Sequence, residues 1–137
     1  MKTPILKTLL YLSLLSPSLC HSAAPAAESF ETMYTPTQHL KNFALSTCLY
    51  QGYADAEIKR DALISMQGHK EFGSLSIEAF NAAAALADQF LAKKYLAEGG
   101  EKLIVMKCID LFNSKELAQL AKKYSDERNA RLKKLKK

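Results

Sequence analysis

The sequence predicts an all-α protein: a single compact bundle of about five helices, disulfide-stapled, after a cleaved signal peptide. Three observations lead there. Apolar residues recur at helical spacing in five successive segments. No segment alternates apolar and polar residues as a half-buried strand does. A secretory leader, with two cysteines after it, puts the chain where a disulfide persists.

The leader comes first. Lys2 and Lys7 precede a short apolar run, Leu9 to Leu15, which Pro17 breaks before the small residues of "HSAAPAA". Seven apolar-leaning residues are too few for a bilayer, which takes roughly 20, so no stable membrane anchor is expected. Cleavage is expected between Ser22 and Ala27. Cys20 makes a poor lipid-attachment site, because Leu19 stands where a small residue is needed. The expected layout is signal and processing region 1–26, helical domain 27–124 and basic tail 125–137.

The first helix is expected to start at "TPTQ". Thr35 can cap, Pro36 suits the first helical position, and Gln38 completes a capping box. Leu40, Phe43, Ala44, Thr47 and Cys48 share one face, and Gly52 ends the helix. Asp55 caps the second helix, with Ile58, Ala62, Leu63 and Met66 apolar and Gly68 as its stop; "GHKEFG" reads as a connector. Ser74 caps the third and longest, running to Tyr95 through an alanine-rich stripe of high helix propensity. Gly99-Gly100 marks a loop over Tyr95 to Gly100. The fourth helix starts near Glu101 and carries Leu103, Met106, Cys108 and Ile109 to Phe112. Ser114 caps the fifth, with Leu117, Leu120, Ala121 and Tyr124 apolar, and "RNARLKKLKK" is read as an extension of that helix with a frayed end.

The chain's charge is unevenly spread. Of 19 Lys and Arg, eight lie in Lys122 to Lys137 beside two acids, whereas Glu28 to Ala121 holds 9 basic and 12 acidic residues. The high pI is therefore a property of the tail. The mildly acidic body argues against nucleic acid as a partner. The tail has two readings: a solvated helix end that complements the helix dipole, or a contact with acidic lipid or cell-wall polymer.

Cys108, in "VMKCIDLFNSKEL", raises the question of chemistry. A cysteine nucleophile needs a base within hydrogen-bond reach. His39 lies nine residues before Cys48 on one helix, roughly 13 Å away at 1.5 Å per residue. His69 falls in the expected connector. Neither cysteine opens a helix, where the dipole would lower its pKa. The spacings contain no CxxC or HxxxH pair for zinc, no Gly-rich phosphate loop and no HExxH, so no cofactor and no catalytic residue is expected. Asp110, two residues after Cys108, reads as a solvated or capping charge. Cys48 and Cys108 are expected to form one disulfide, worth on the order of 4 kcal/mol for a loop of about 60 residues. These residues alone favour a non-enzymatic binding protein and leave its partner open.

Four blocks then name a family. "LKNFALSTCL", "EFGSLSIEAF", "LADQFLAKKY" and "MKCIDLFNSKELAQLAKKY", in this order and spacing over roughly Leu40 to Tyr124, resemble the immunity proteins of type VI secretion amidase effectors, family four. The resemblance implies a periplasmic, all-helical homodimer that forms a heterotetramer with its effector. It also implies inhibition of a cognate peptidoglycan amidase, an NlpC/P60-type enzyme cutting between D-glutamate and diaminopimelate, by a loop that enters the active-site cleft. By position that loop is Tyr95 to Gly100, and the partner-binding residues are Lys93, Lys94, Tyr95, Leu96, Ala97, Glu98, Gly99 and Gly100. Tyr95 suits an interface anchor, Gly99-Gly100 a tight turn, and Glu98 an imitation of a substrate carboxylate. An ordinary surface turn with a half-buried tyrosine is the competing reading. A wall-associated periplasmic adaptor held by the basic tail is the alternative function.

Overall fold

The computed structural model describes residues 29, 33–95 and 97–137; the expected signal region, Cys20 and Leu96 lie outside them. Among the described residues there are five α-helices and no strand. They are α1 (Pro36–Gly52), α2 (Ala56–Phe72), α3 (Ile77–Leu91), α4 (Ile104–Asn113) and α5 (Lys115–Leu135).

The bundle is organised around α1, which packs against all four other helices. Its start is the predicted capping box. The Gln38 amide donates to Thr35 Oγ1 at 3.3 Å, and the Thr35 amide donates to Gln38 Oε1 at 2.9 Å, with Pro36 at the first position. Leu40, Phe43, Ala44, Thr47 and Cys48 are all buried, as their spacing requires. Asp55 caps α2 by accepting from the amides of Glu57 and Ile58. Ser114 caps α5 by accepting from the Leu117 amide at 3.1 Å.

In α3, Ala79, Ala83 and Ala87 are fully buried. Methyl-sized side chains let its axis approach α1 closely, and Phe80 meets Phe43 edge to face with ring centroids 5.0 Å apart. Cys48 on α1 and Cys108 on α4 form a disulfide with a Cα–Cα distance of 5.6 Å. Both cysteines are fully buried, as are Leu111 and Leu117 beside them in the core.

Several boundaries differ from the sequence expectation. Gly68 does not stop α2. The helix continues through "GHKEF" to Phe72, because His69 on that extra turn is buried and its Nδ1 pairs with Nδ1 of His39, 3.3 Å away on α1. The stop is Gly73, where a side chain has no room: a Cβ would lie 2.6 Å from the His69 carbonyl oxygen and 2.7 Å from the Phe80 ring. The N-cap of α3 is Ser76 rather than Ser74, since Leu75 turns into the core first. That helix ends at Leu91, so it is shorter than α5 and leaves Lys93, Lys94 and Tyr95 in the following loop. The fourth helix starts at Ile104, not near Glu101. The basic segment continues α5 regularly through Leu135, against the expected fraying.

Candidate functional site

Among the described helices, the longest connection runs from Ala92 to Leu103, joining α3 to α4. Lys93, Lys94, Glu98, Gly99 and Gly100 are exposed, while Tyr95 and Ala97 are half-buried. The structure thus gathers the described members of the sequence-predicted set in one exposed loop. A turn closes at its tip, where the Gly100 amide donates to the Ala97 carbonyl at 3.2 Å. Gly100 has φ +75°, a conformation that costs glycine nothing and an L side chain about 1–2 kcal/mol. The Glu101 carboxylate folds back over Gly99, in the space a Cβ there would need.

Both feet of the loop are fastened. At the entry, Lys107 Nζ on α4 donates to the Leu91 carbonyl at 2.8 Å, satisfying one of the carbonyls left open at the end of α3. The same ammonium lies 5.7 Å from the centroid of the Tyr95 ring, within cation–π range. The Tyr95 hydroxyl donates to the Asp110 carboxylate. That hydrogen bond, then desolvation and the neighbouring negative charge, raise the Tyr95 phenol above its ordinary pKa. Lys93 Nζ lies over the Phe90 ring, 3.2 Å from its centroid.

At the exit, Leu103 takes the left-handed conformation with φ 48° and ψ 42°. A leucine holds such a backbone only where its surroundings impose it. Next to it, Ile104 packs against Gly52 at the end of α1, and so does Leu91 from the entry side. The two feet therefore meet on one small residue.

Sequence reasoning missed Asp110, Lys107, Leu103 and Glu101 as parts of this region. The i, i+3 spacing of Lys107 and Asp110 was visible and places them on one side of α4. Their targets, Leu91 and Tyr95, lie 16 and 15 residues away and could not be read from that spacing.

The other residues considered for chemistry have structural partners. Cys48 and Cys108 are bonded to each other, so neither is a thiolate. His39 and His69 pair with each other and lie edge to face with the Tyr34 ring, at 5.5 and 5.4 Å between centroids. Burial, then the charge of His39, lowers the His69 pKa from its ordinary value. Among the described residues, no group of three or more His, Cys, Asp or Glu is arranged to hold a metal ion. None of the described helices is long and apolar enough to cross a membrane.

Beside the loop, α4 carries an unpartnered apolar stripe. Val105, Met106 and Ile109 are each about half exposed. With Tyr53, Leu103 and Ile104 they line an open groove of about 710 Å³, with Glu101 and Lys102 on its rim.

Residues 38–121 match the family of type VI secretion system amidase immunity proteins, Tai4. This chain belongs to that family. A Tai4 structure from the Tae4/Tai4 effector–immunity system of Salmonella typhimurium is 34% identical, with a TM-score of 0.63 over 69% of this chain and 94% of that one. The Tae4–Tai4 complex of Enterobacter cloacae contains a chain 21% identical, with a TM-score of 0.59 over 69% and 95%. A chain described with type VI-secreted toxins and self-resistance proteins of Serratia marcescens is 24% identical, with a TM-score of 0.63 over 74% and 85%. At those last two identities the likeness concerns the fold alone. No curated protein matches the sequence. The Tai4 family is one of immunity proteins rather than enzymes.

Proposed function

We propose that this chain binds and inhibits a cognate type VI secreted peptidoglycan amidase in the periplasm by inserting the Tyr95 to Gly100 loop into its active-site cleft. The observation that carries the reading is the loop itself. It is exposed, tipped by a glycine turn, and fastened at both feet to a disulfide-anchored helix. A segment held in this way loses little conformational entropy on binding. The 34% identical Tai4, solved as part of an effector–immunity system with Tae4, supports an enzyme of the Tae4 kind as the partner. The resemblance to the family implies an NlpC/P60-type endopeptidase cutting between D-glutamate and diaminopimelate as that enzyme's chemistry. Glu98 and Glu101 at the tip offer carboxylates in place of those of the acidic peptide.

The test uses a purified amidase of the Tae4 kind from the same genome. Changing Tyr95 and Glu98 together to Ala should weaken inhibition of peptidoglycan cleavage by roughly 100-fold or more, the scale of interface hot spots, while the circular dichroism spectrum stays helical. Undiminished inhibition by a folded variant refutes the loop assignment.

The same reading includes a homodimer, and with the effector a heterotetramer. The stripe of Val105, Met106 and Ile109 is the apolar surface available for a second copy to cover. Light scattering on the purified chain should return twice the monomer mass, and Met106→Asp should halve it. A monomeric mass for the unchanged chain removes the dimer.

A further inference from the structure

We propose that Asp110 and Lys107 on α4 are positioning residues for the inhibitory loop, holding Tyr95 and the end of α3 so that residues 97–100 are presented in one geometry before any partner arrives. This rests on the loop reading above and adds to it a mechanism and two residues outside the loop.

The arrangement is specific in three respects. First, the two residues take hold at different points. Lys107 grips the Leu91 carbonyl where α3 ends, and Asp110 accepts from the Tyr95 hydroxyl four residues further along. The chain is thereby fixed immediately before the turn at Ala97 to Gly100. Second, the platform is rigid. Cys108 lies between Lys107 and Asp110 in sequence but points to the core, where its bond to Cys48 ties α4 to the central helix. Third, the loop exit starts on the same platform, with the left-handed Leu103 leading directly into Ile104. Both ends of the loop are thus referred to one helix.

Tyr95 accordingly has an intramolecular job. Its hydroxyl is engaged by Asp110 and its ring lies near the Lys107 ammonium. Exposed polar contacts of this kind add little to global stability. They matter for binding, because ordering a loop in advance removes a cost that complex formation would otherwise carry. Sensitivity to these residues should therefore appear in loop order and in inhibition, and hardly at all in the melting temperature.

The experiment compares Tyr95→Phe, Asp110→Ala, the double variant and Asp110→Asn, which keeps an acceptor oxygen. Hydrogen exchange of the free protein reads the loop without any partner. Inhibition of the same Tae4-type amidase reads the consequence. Exchange over residues 97–102 should accelerate in Tyr95→Phe and Asp110→Ala, by equal amounts and no further in the double variant, since one hydrogen bond is lost in each case. Asp110→Asn should retain protection. The inhibition constant should rise roughly 2- to 10-fold in both single variants, the scale of one hydrogen bond, again without addition in the double.

Unchanged exchange in Asp110→Ala overturns the proposal. So does weakened inhibition in Tyr95→Phe with none in Asp110→Ala, which would mean that the hydroxyl acts on the enzyme directly and not through Asp110. Full inhibition by Glu98→Ala together with Gly100→Pro removes the loop reading, and the latch's part in inhibition falls with it. The exchange result tells that failure apart from failure of the latch itself.

Discussion

The two longer turns of the chain, Gly73 to Ser76 between α2 and α3 and Ala92 to Leu103 between α3 and α4, are built on opposite plans. The first is short and sunk into the core. Leu75 is 8% exposed, and Gly73 lies against the His69 carbonyl and the Phe80 ring. Its geometry is dictated by packing. The second is long and exposed, and side chains reaching across from α4 hold its entry at Leu91 and Tyr95, while its exit runs directly into α4. A connector that serves only the fold is pulled inward and shortened. One kept outside and then restrained is of the kind that carries binding.

The comparison can be broken at its common anchor. Replacing Cys48 and Cys108 with Ala removes a cross-link over 60 residues and should cost about 2–5 kcal/mol in urea denaturation. Because α4 carries the feet of the exposed loop, inhibition should fall as well, and a stable, fully inhibitory double variant would show that the loop does not depend on this bond.

A narrower change sharpens the contrast. Gly73→Ala forces a methyl against a backbone oxygen and an aromatic ring, an overpacking worth about 1–3 kcal/mol. The folded fraction should still inhibit with unchanged affinity. Weaker inhibition per folded molecule would mean that the two connections are coupled.

The smallest effect concerns pH. His69, directly behind the short connection, has a pKa lowered from 6.5 by burial and by the facing His39. The unfolded chain therefore takes up a proton more readily than the folded one, and stability is full above about pH 6.5 and declines as the pH falls through it. The denaturation midpoint should be modestly lower at pH 5.5 than at pH 7.5, with the difference reduced in His69→Gln. A midpoint that does not change with pH removes this role for the pair.

How far the sequence carried can be seen in particular residues. Thr35, Asp55 and Ser114 were readable as caps because a cap is satisfied within three residues of itself. The Cys48–Cys108 bond was readable from compartment and count. The failures were interactions across the fold. Nothing near Gly68 announces that His69 will meet His39, thirty positions earlier, and carry the helix past a glycine. Tyr95 looked like a free anchor and Asp110 like a solvated charge until folding brought them together. The position of the candidate loop was legible from its glycines, whereas the means of holding it was not.

The disulfide has one more consequence. Its ring, closed from Cys48 to Cys108, contains the entire exposed loop and the lysines that flank it, Lys93, Lys94 and Lys102. A protease that cuts the backbone at any of them opens the ring without separating the pieces. The severed molecule remains a single covalent body, with α1 still fastened to α4, and divides into two fragments only once the bond is reduced.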